Sequence, residues 1–358
     1  MAVSNGTPGT PGRPVRREWI LRSGLFLFAI AVGCAGEQVA APEPEGQPLP
    51  PAGPHFSVFP IGFDSIARIT PLGHNNKVLP VGHTYWDTCD RGYLLPGGRA
   101  CWFVNLPVRA PGGGVVFSIA PGDGHVSIEG PPGLFATFLH ITPIAGLQQG
   151  DSVRAGDVIG TMFQTNSFDF GVTNYAVHHT FVRPERYPES YLHAQNPLEQ
   201  FPQPMRSQLE SRVMTRWDAI GRLSYDVAGT AAGNWFKEGS PASDQVFTPD
   251  WVHAQLFLGR RTEREATRIV VTGDRWAGLP NPIAVVDDAD PSWDAISPAS
   301  GQVPVRLWGM TPEGEPNTAF PHGTLLIEML SGTRLRIEWF EGHEAPAGFT
   351  SAAFIYER

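Results

Sequence analysis

Runs of alternating apolar and polar residues, separated by Gly- and Pro-rich turns, recur along most of the chain and predict strands rather than helices. Residues 105–119 read as a strand, a Gly turn and a second strand, and 125–129 and 134–140 read as two more. Residues 147–160 hold two Gly turns around a short apolar strand, so that the chain folds back on itself. A stretch with helical spacing, 206–218, separates this region from a second series of strand signals at 222–227, 268–271, 303–308, 324–329, 334–340 and 353–356. Within that series, Leu335, Ile337 and Trp339 alternate with polar residues after a turn at Ser331-Gly332, which predicts a hairpin. The aromatic pair Trp235-Phe236 lies beside a strand, where a ring belongs to the core more often than to a ligand site.

The pattern predicts a mostly β protein in two parts: a barrel-sandwich-hybrid-like domain over 55–205, then a small antiparallel β barrel or sandwich over 206–358. Length agrees, because 358 residues exceed one ordinary domain. Composition agrees too, with 40 Gly, 35 Pro and only 17% charged residues, a balance that favours turns and short strands. The net charge of −9 comes with no basic stripe, which argues against a nucleic-acid partner. Residues 1–34 read as an export signal, in which Arg13, Arg16, Arg17 and Arg22 precede an apolar run too short to span a bilayer. That run ends Ala31-Val32-Gly33-Cys34 and resembles a bacterial lipoprotein signal with Cys34 as the lipidated residue; ordinary secretory cleavage nearby is the alternative. The Pro-rich 35–54 segment lacks the apolar residues to bury a core and reads as an extended tether. Both readings of the leader place the mature protein in the bacterial cell envelope or outside it, where Cys89 and Cys101, flanking a Gly-Pro loop, are expected to pair as a disulfide rather than serve as zinc thiolates.

The candidate chemistry lies between His83 and His179. His83 and Asp87 form a His-x-x-x-Asp pair, His140 ends a strand, Asp169 sits between two Phe, and His178-His179 follow. Imidazole and carboxylate are the usual ligands of a catalytic zinc, which needs three protein ligands and one open position. An ionised carboxylate in an apolar strand requires a partner or a metal, so Asp169 is the hardest of these residues to explain otherwise. His83 alone would be an ordinary turn histidine, and His74 and His125 read as bystanders. The 147–160 pattern is shared with lipoyl and biotinyl carriers, but the domain has no Lys after Lys77 to carry a cofactor.

The order His-x-x-x-Asp (83–87), Pro-Val-Arg-Ala-Pro-Gly-Gly-Gly-Val-Val (107–116), Phe-Ala-Thr-Phe-Leu-His (135–140) and Gln-Gln-Gly-Asp-Ser-Val-Arg-Ala-Gly-Asp-Val-Ile-Gly (148–160) resembles the lysostaphin-like zinc metallopeptidases over about residues 70–200. The resemblance implies a duplicated hybrid motif of strands and a peptidoglycan endopeptidase activity. It implies zinc held by His83 and Asp87, with His140 catalytic. The family closes its site with His-x-His, which this chain lacks. In one register Ser167-Phe-Asp169 takes that place, making Asp169 the third ligand and Ser167 the substitute for a catalytic histidine. In the other, His179 is the ligand and Val177 the substitute. His178 enters the catalytic set only if its strand is irregular, because adjacent side chains on a regular strand point to opposite faces. The expected function is therefore an exported lipoprotein with a zinc metalloendopeptidase domain acting on the cell wall. The alternative is an inactive homologue that engages cell-wall peptide or glycan as a binding module and meets the membrane through its lipid anchor.

Overall fold

The computed structural model describes residues 49–74, 79–88, 104–214, 221–240, 255–261, 267–273, 283–311 and 316–358. The expected leader with Cys34, most of the tether, and the Cys89–Cys101 pair lie outside these residues. Gly46–Arg358 form one compact unit.

The described residues of its first part form eleven short strands: β1 (Arg68–Thr70), β2 (Thr84–Asp87), β3 (Val104–Arg109), β4 (Gly114–Ala120), β5 (His125–Glu129), β6 (Leu134–Leu139), β7 (Thr142–Pro143), β8 (Ser152–Val153), β9 (Val158–Thr165), β10 (Ser167–Asn174) and β11 (Ala194–Gln195). The main sheet runs β1-β2-β10-β6-β5-β4-β8 with β11 added to β10, and β3-β9-β7 form a second, smaller sheet. One face of the main sheet is apolar because alternate residues point the same way: Ile69, Trp86, Phe168, Phe170, Phe138, Val126 and Ile128 form a buried core with Val108, Ile159 and Met162 of the second sheet. Phe138 and Phe170 stack at 4.7 Å in the middle of it. The 147–160 region forms two matched Asp turns, with Asp151 accepting from the Gln148 backbone N–H and Asp157 from that of Arg154.

The second part is a closed eight-stranded antiparallel barrel in which every strand pairs with its sequence neighbours: β12 (Gly233–Lys237), β13 (Gln255–Arg260), β14 (Arg268–Thr272), β15 (Ile283–Val286), β16 (Gln302–Met310), β17 (Pro316–Ser331), β18 (Arg334–Phe340) and β19 (Phe354–Glu357). Closure removes the exposed edges of an open sheet. Trp235, Leu256, Leu258, Val270, Val305, Leu325, Ile337 and Tyr356 fill a single buried cluster. A smaller cluster, in which Leu72, Phe181, Tyr187 and Ala194 meet Leu223 and Phe236, fastens the barrel to the first part. The Trp235-Phe236 pair is core, both rings being buried.

Two sequence expectations are corrected. Of the helix expected over 206–218, the described residues form only α1 (Met205–Glu210); the chain then runs alongside β1, with Ile69 and Val213 bridged in parallel. Residues 222–227 form no strand. Their polar groups turn to neighbouring segments instead: Ser224 donates to the Thr180 carbonyl, and Asp226 accepts from the backbone N–H groups of Val182 and of Asn234 in β12.

Candidate functional site

Strand registers place the candidate residues on the second face of the main sheet. Asp87 lies opposite Arg68 on one side and Ser167 on the other; one pleat along, Tyr85 is opposite Asp169, which is opposite Leu139; one pleat further, Gly171, Thr137 and Ser127 are aligned. These residues face away from the Trp86–Phe168–Phe138 core because they occupy the alternate positions.

Asp169 is the centre of the site. Its side chain is 5% exposed, and its Oδ2 lies 3.0 Å from His83 Nε2 and 3.3 Å from His140 Nε2. The carboxylate that the apolar sequence left unexplained is thus held by two imidazoles brought from a turn before β2 and a turn after β6. Tyr85 packs edge-on against His83, with ring centroids 5.1 Å apart. Gly171 leaves room for His83, since a Cβ there would sit 3.3 Å from the His83 Cβ.

His140 reaches Asp169 through a strained backbone. It has φ of 63°, and among the described residues no other non-glycine residue has positive φ. A left-handed conformation costs a β-carbon-bearing residue about 1–2 kcal/mol. The turn closes because Gly124 accepts from the Ile141 N–H, and a Cβ at Gly124 would approach the Ile141 carbonyl to 2.9 Å. His140→Gly is accordingly expected to hold or raise thermal stability by up to about 1 kcal/mol, whereas His140→Val should lower it by a similar amount. Thermal melts of the two variants check this; equal melting of both would mean that the backbone there is unstrained.

Asp87 is engaged elsewhere. Both Nε and Nη2 of Arg68 donate to its Oδ2, at 3.1 and 2.9 Å, and the Asp87 side chain is only 2% exposed. Arg68 escaped the reading of the sequence because its partner is 19 residues away and becomes adjacent only when β1 pairs with β2. Ser167, beside Asp87 in the neighbouring strand, is buried.

His178 and His179 do not join this cluster. The strand β10 ends at Asn174, and a turn closed by the Val177 N–H to the Asn174 carbonyl carries the chain towards β11. There His179 Nε2 donates to the Ala194 carbonyl at 2.6 Å, and the His178 ring packs on His193 at 5.5 Å. Of the two registers open to the sequence, the geometry brings Asp169, not His179, to His83. His125 bonds to Ser118, and His74 packs edge-on to Tyr85.

The residues do not fit a catalytic zinc as arranged. Among the described residues no group of three His, Cys, Asp or Glu side chains has the disposition to hold a metal ion. A dication would have to displace a guanidinium from the buried Asp87 carboxylate. Ser167 also offers a hydroxyl where an imidazole would serve as general acid or base, a role worth about two to four orders of magnitude in rate.

No family model and no curated protein matches the chain. Solved structures do, at low similarity. Helicobacter pylori Csd3 is 19% identical over 34% of this chain and 32% of its own, with a TM-score of 0.26. The catalytic domain of the prophage-encoded M23 protein EnpA from Enterococcus faecalis is 17% identical over 34% of this chain and 87% of its own, with a TM-score of 0.24. The catalytic domain of the antimicrobial peptidase lysostaphin from Staphylococcus simulans is 17% identical over 37% and 86%, with a TM-score of 0.22. The chain therefore spans about a third of the Csd3 chain that it matches.

Proposed function

We propose that this is an exported cell-envelope protein, lipid-anchored at Cys34, whose lysostaphin-like domain binds cell-wall peptide or glycan along its polar sheet face without hydrolysing it. The observation that carries this reading is the Arg68–Asp87 pair, which puts a fixed cation on the carboxylate that the family resemblance assigns to zinc. Beside it, Asp169 lies within ion-pair distance of both His83 and His140. The leader motif and Pro-rich tether support a position at the envelope. In place of bond cleavage, the face offers hydroxyls and carboxylates for hydrogen bonding and aromatic edges for packing.

Co-sedimentation with purified cell walls, followed by an assay for newly released amino groups, tests this. The chain is expected to pellet with the walls and release nothing above background. Release of amines that stops on chelation and in the Asp169→Ala variant would replace the binding reading with the zinc-peptidase one.

A further inference from the structure

Beyond the His83–Asp169–His140 cluster the same sheet face changes character. Thr173, Phe135, Glu129 and Val115 lie in one aligned row across β10, β6, β5 and β4, and a bulge in β4 places Phe117 beside it. Phe117 is 51% exposed and meets Phe135 edge-on at 5.0 Å; Phe135 in turn meets Tyr175 at 6.0 Å with the rings 87° apart. Successive rings at near right angles make an angled wall rather than a flat stack. Tyr175 continues the wall to His193, at 4.7 Å.

Two carboxylates bracket this wall. Glu129 lies directly opposite Phe135 in the register, and its side chain makes no hydrogen bond or ion pair among the described residues. Glu189, at the far end, stands 3.2 Å from His193 Nε2. Both reach Tyr175 electrostatically: its hydroxyl is pushed above the ordinary tyrosine range by burial first, then by Glu189 and Glu129. The strands β4, β5 and β6 and the 174–178 segment contain no Arg or Lys. The patch thus combines π faces, which attract cations, with two carboxylates, of which Glu189 stands by His193 and Glu129 meets no Arg or Lys on these strands.

We propose that this patch is an ammonium subsite, taking the side-chain amine of an extended peptide that lies along this sheet face. Thr173 lies four positions along β10 from Asp169, so this row is about 13 Å along the strands from the His–Asp–His cluster, a span of about four extended peptide residues. The proposal deepens the reading of this sheet face as a binding surface and rests on it. A neutral glycan would use the rings but gain nothing from the excess negative charge.

The full chain would be titrated with a short alanine-based peptide carrying one lysine, with its Nε-acetyl form, and with an oligomer of N-acetylglucosamine. Acetylation is expected to weaken binding about tenfold, a cation–π and charge effect of ordinary size. Glu129→Gln should remove most of that difference while leaving the acetylated peptide's affinity unchanged, and Phe117→Ala should weaken the lysine peptide severalfold. Equal affinity for the two peptides would overturn the ammonium subsite and leave the reading of the face as a binding surface intact. Binding of the sugar oligomer with neither peptide would do the same. Failure of all three ligands to bind would sink both.

Discussion

The triple substitution Arg68→Ala, Ser167→His, Asp169→His is expected to give a chain that retains one zinc per molecule through dialysis, with an affinity on the order of a hundredfold or more above that of the unaltered protein. Arg68→Ala removes the guanidinium whose Nε and Nη2 now hold the Asp87 carboxylate. Asp169→His supplies an imidazole between His83 and Asp87, giving the nitrogen-rich set that suits zinc better than two carboxylates and one imidazole. Ser167→His adds the missing acid–base group on the same sheet face. Changes to groups that merely orient a ligand already alter metal affinity by about 10–100-fold, and here a ligand and its competitor change together. Without metal the variant should be less stable by about 3–5 kcal/mol, because Asp87 is left buried without its cation; added zinc should restore the melting temperature by mass action. A folded variant that takes up no zinc would mean that this face does not share the geometry of a metal site.

The second large effect lies in the barrel. Arg358→Ala is expected to destabilise the protein by about 3–5 kcal/mol, measured as a shift in the urea midpoint at constant slope. Arg358 is 2% exposed, and its guanidinium donates to the carbonyls of Ala232, Val227 and Thr230. It lies over the Trp235 ring at 4.1 Å and 3.7 Å from the Asp226 carboxylate. Asp226 is itself almost fully buried, and that burial pushes its carboxyl above the ordinary range despite two backbone donors and the nearby arginine. Removing Arg358 strands three carbonyls and one carboxylate together. Arg358→Lys should recover only part of the loss, since an ammonium cannot reproduce the planar fork. A loss below about 1 kcal/mol for Arg358→Ala would show that water replaces the guanidinium at little cost.

These two sites differ in how much of them the sequence discloses. Strands with one wet face were legible: β6 alternates buried and half-buried residues along its length, and β18 has the bounds expected from Leu335, Ile337 and Trp339. By contrast β12, β13 and β15 were missed. In β13 five successive residues are buried, so that no alternation marks it, and β12 likewise opens with four. The segment 222–227 misled in the opposite sense, its alternation serving loop contacts rather than a ladder. At the site, His83, His140 and Asp169 were legible as types in order, and Asp169 because a charge between two Phe demands a partner. Arg68 was not, because nothing local distinguishes an arginine in Ala-Arg-Ile-Thr from any other strand residue. The choice between Asp169 and His179 needed the end of β10, where the chain leaves the sheet before His178 is reached.

Zinc content of the full chain, purified without chelator and assayed after equilibration with zinc and dialysis, tests the central claim most directly. The account predicts far less than one zinc per chain, with no further fall in His83→Ala or Asp169→Ala. One zinc per chain that disappears in both variants would contradict it, and would mean that the Arg68–Asp87 pair opens to admit a metal.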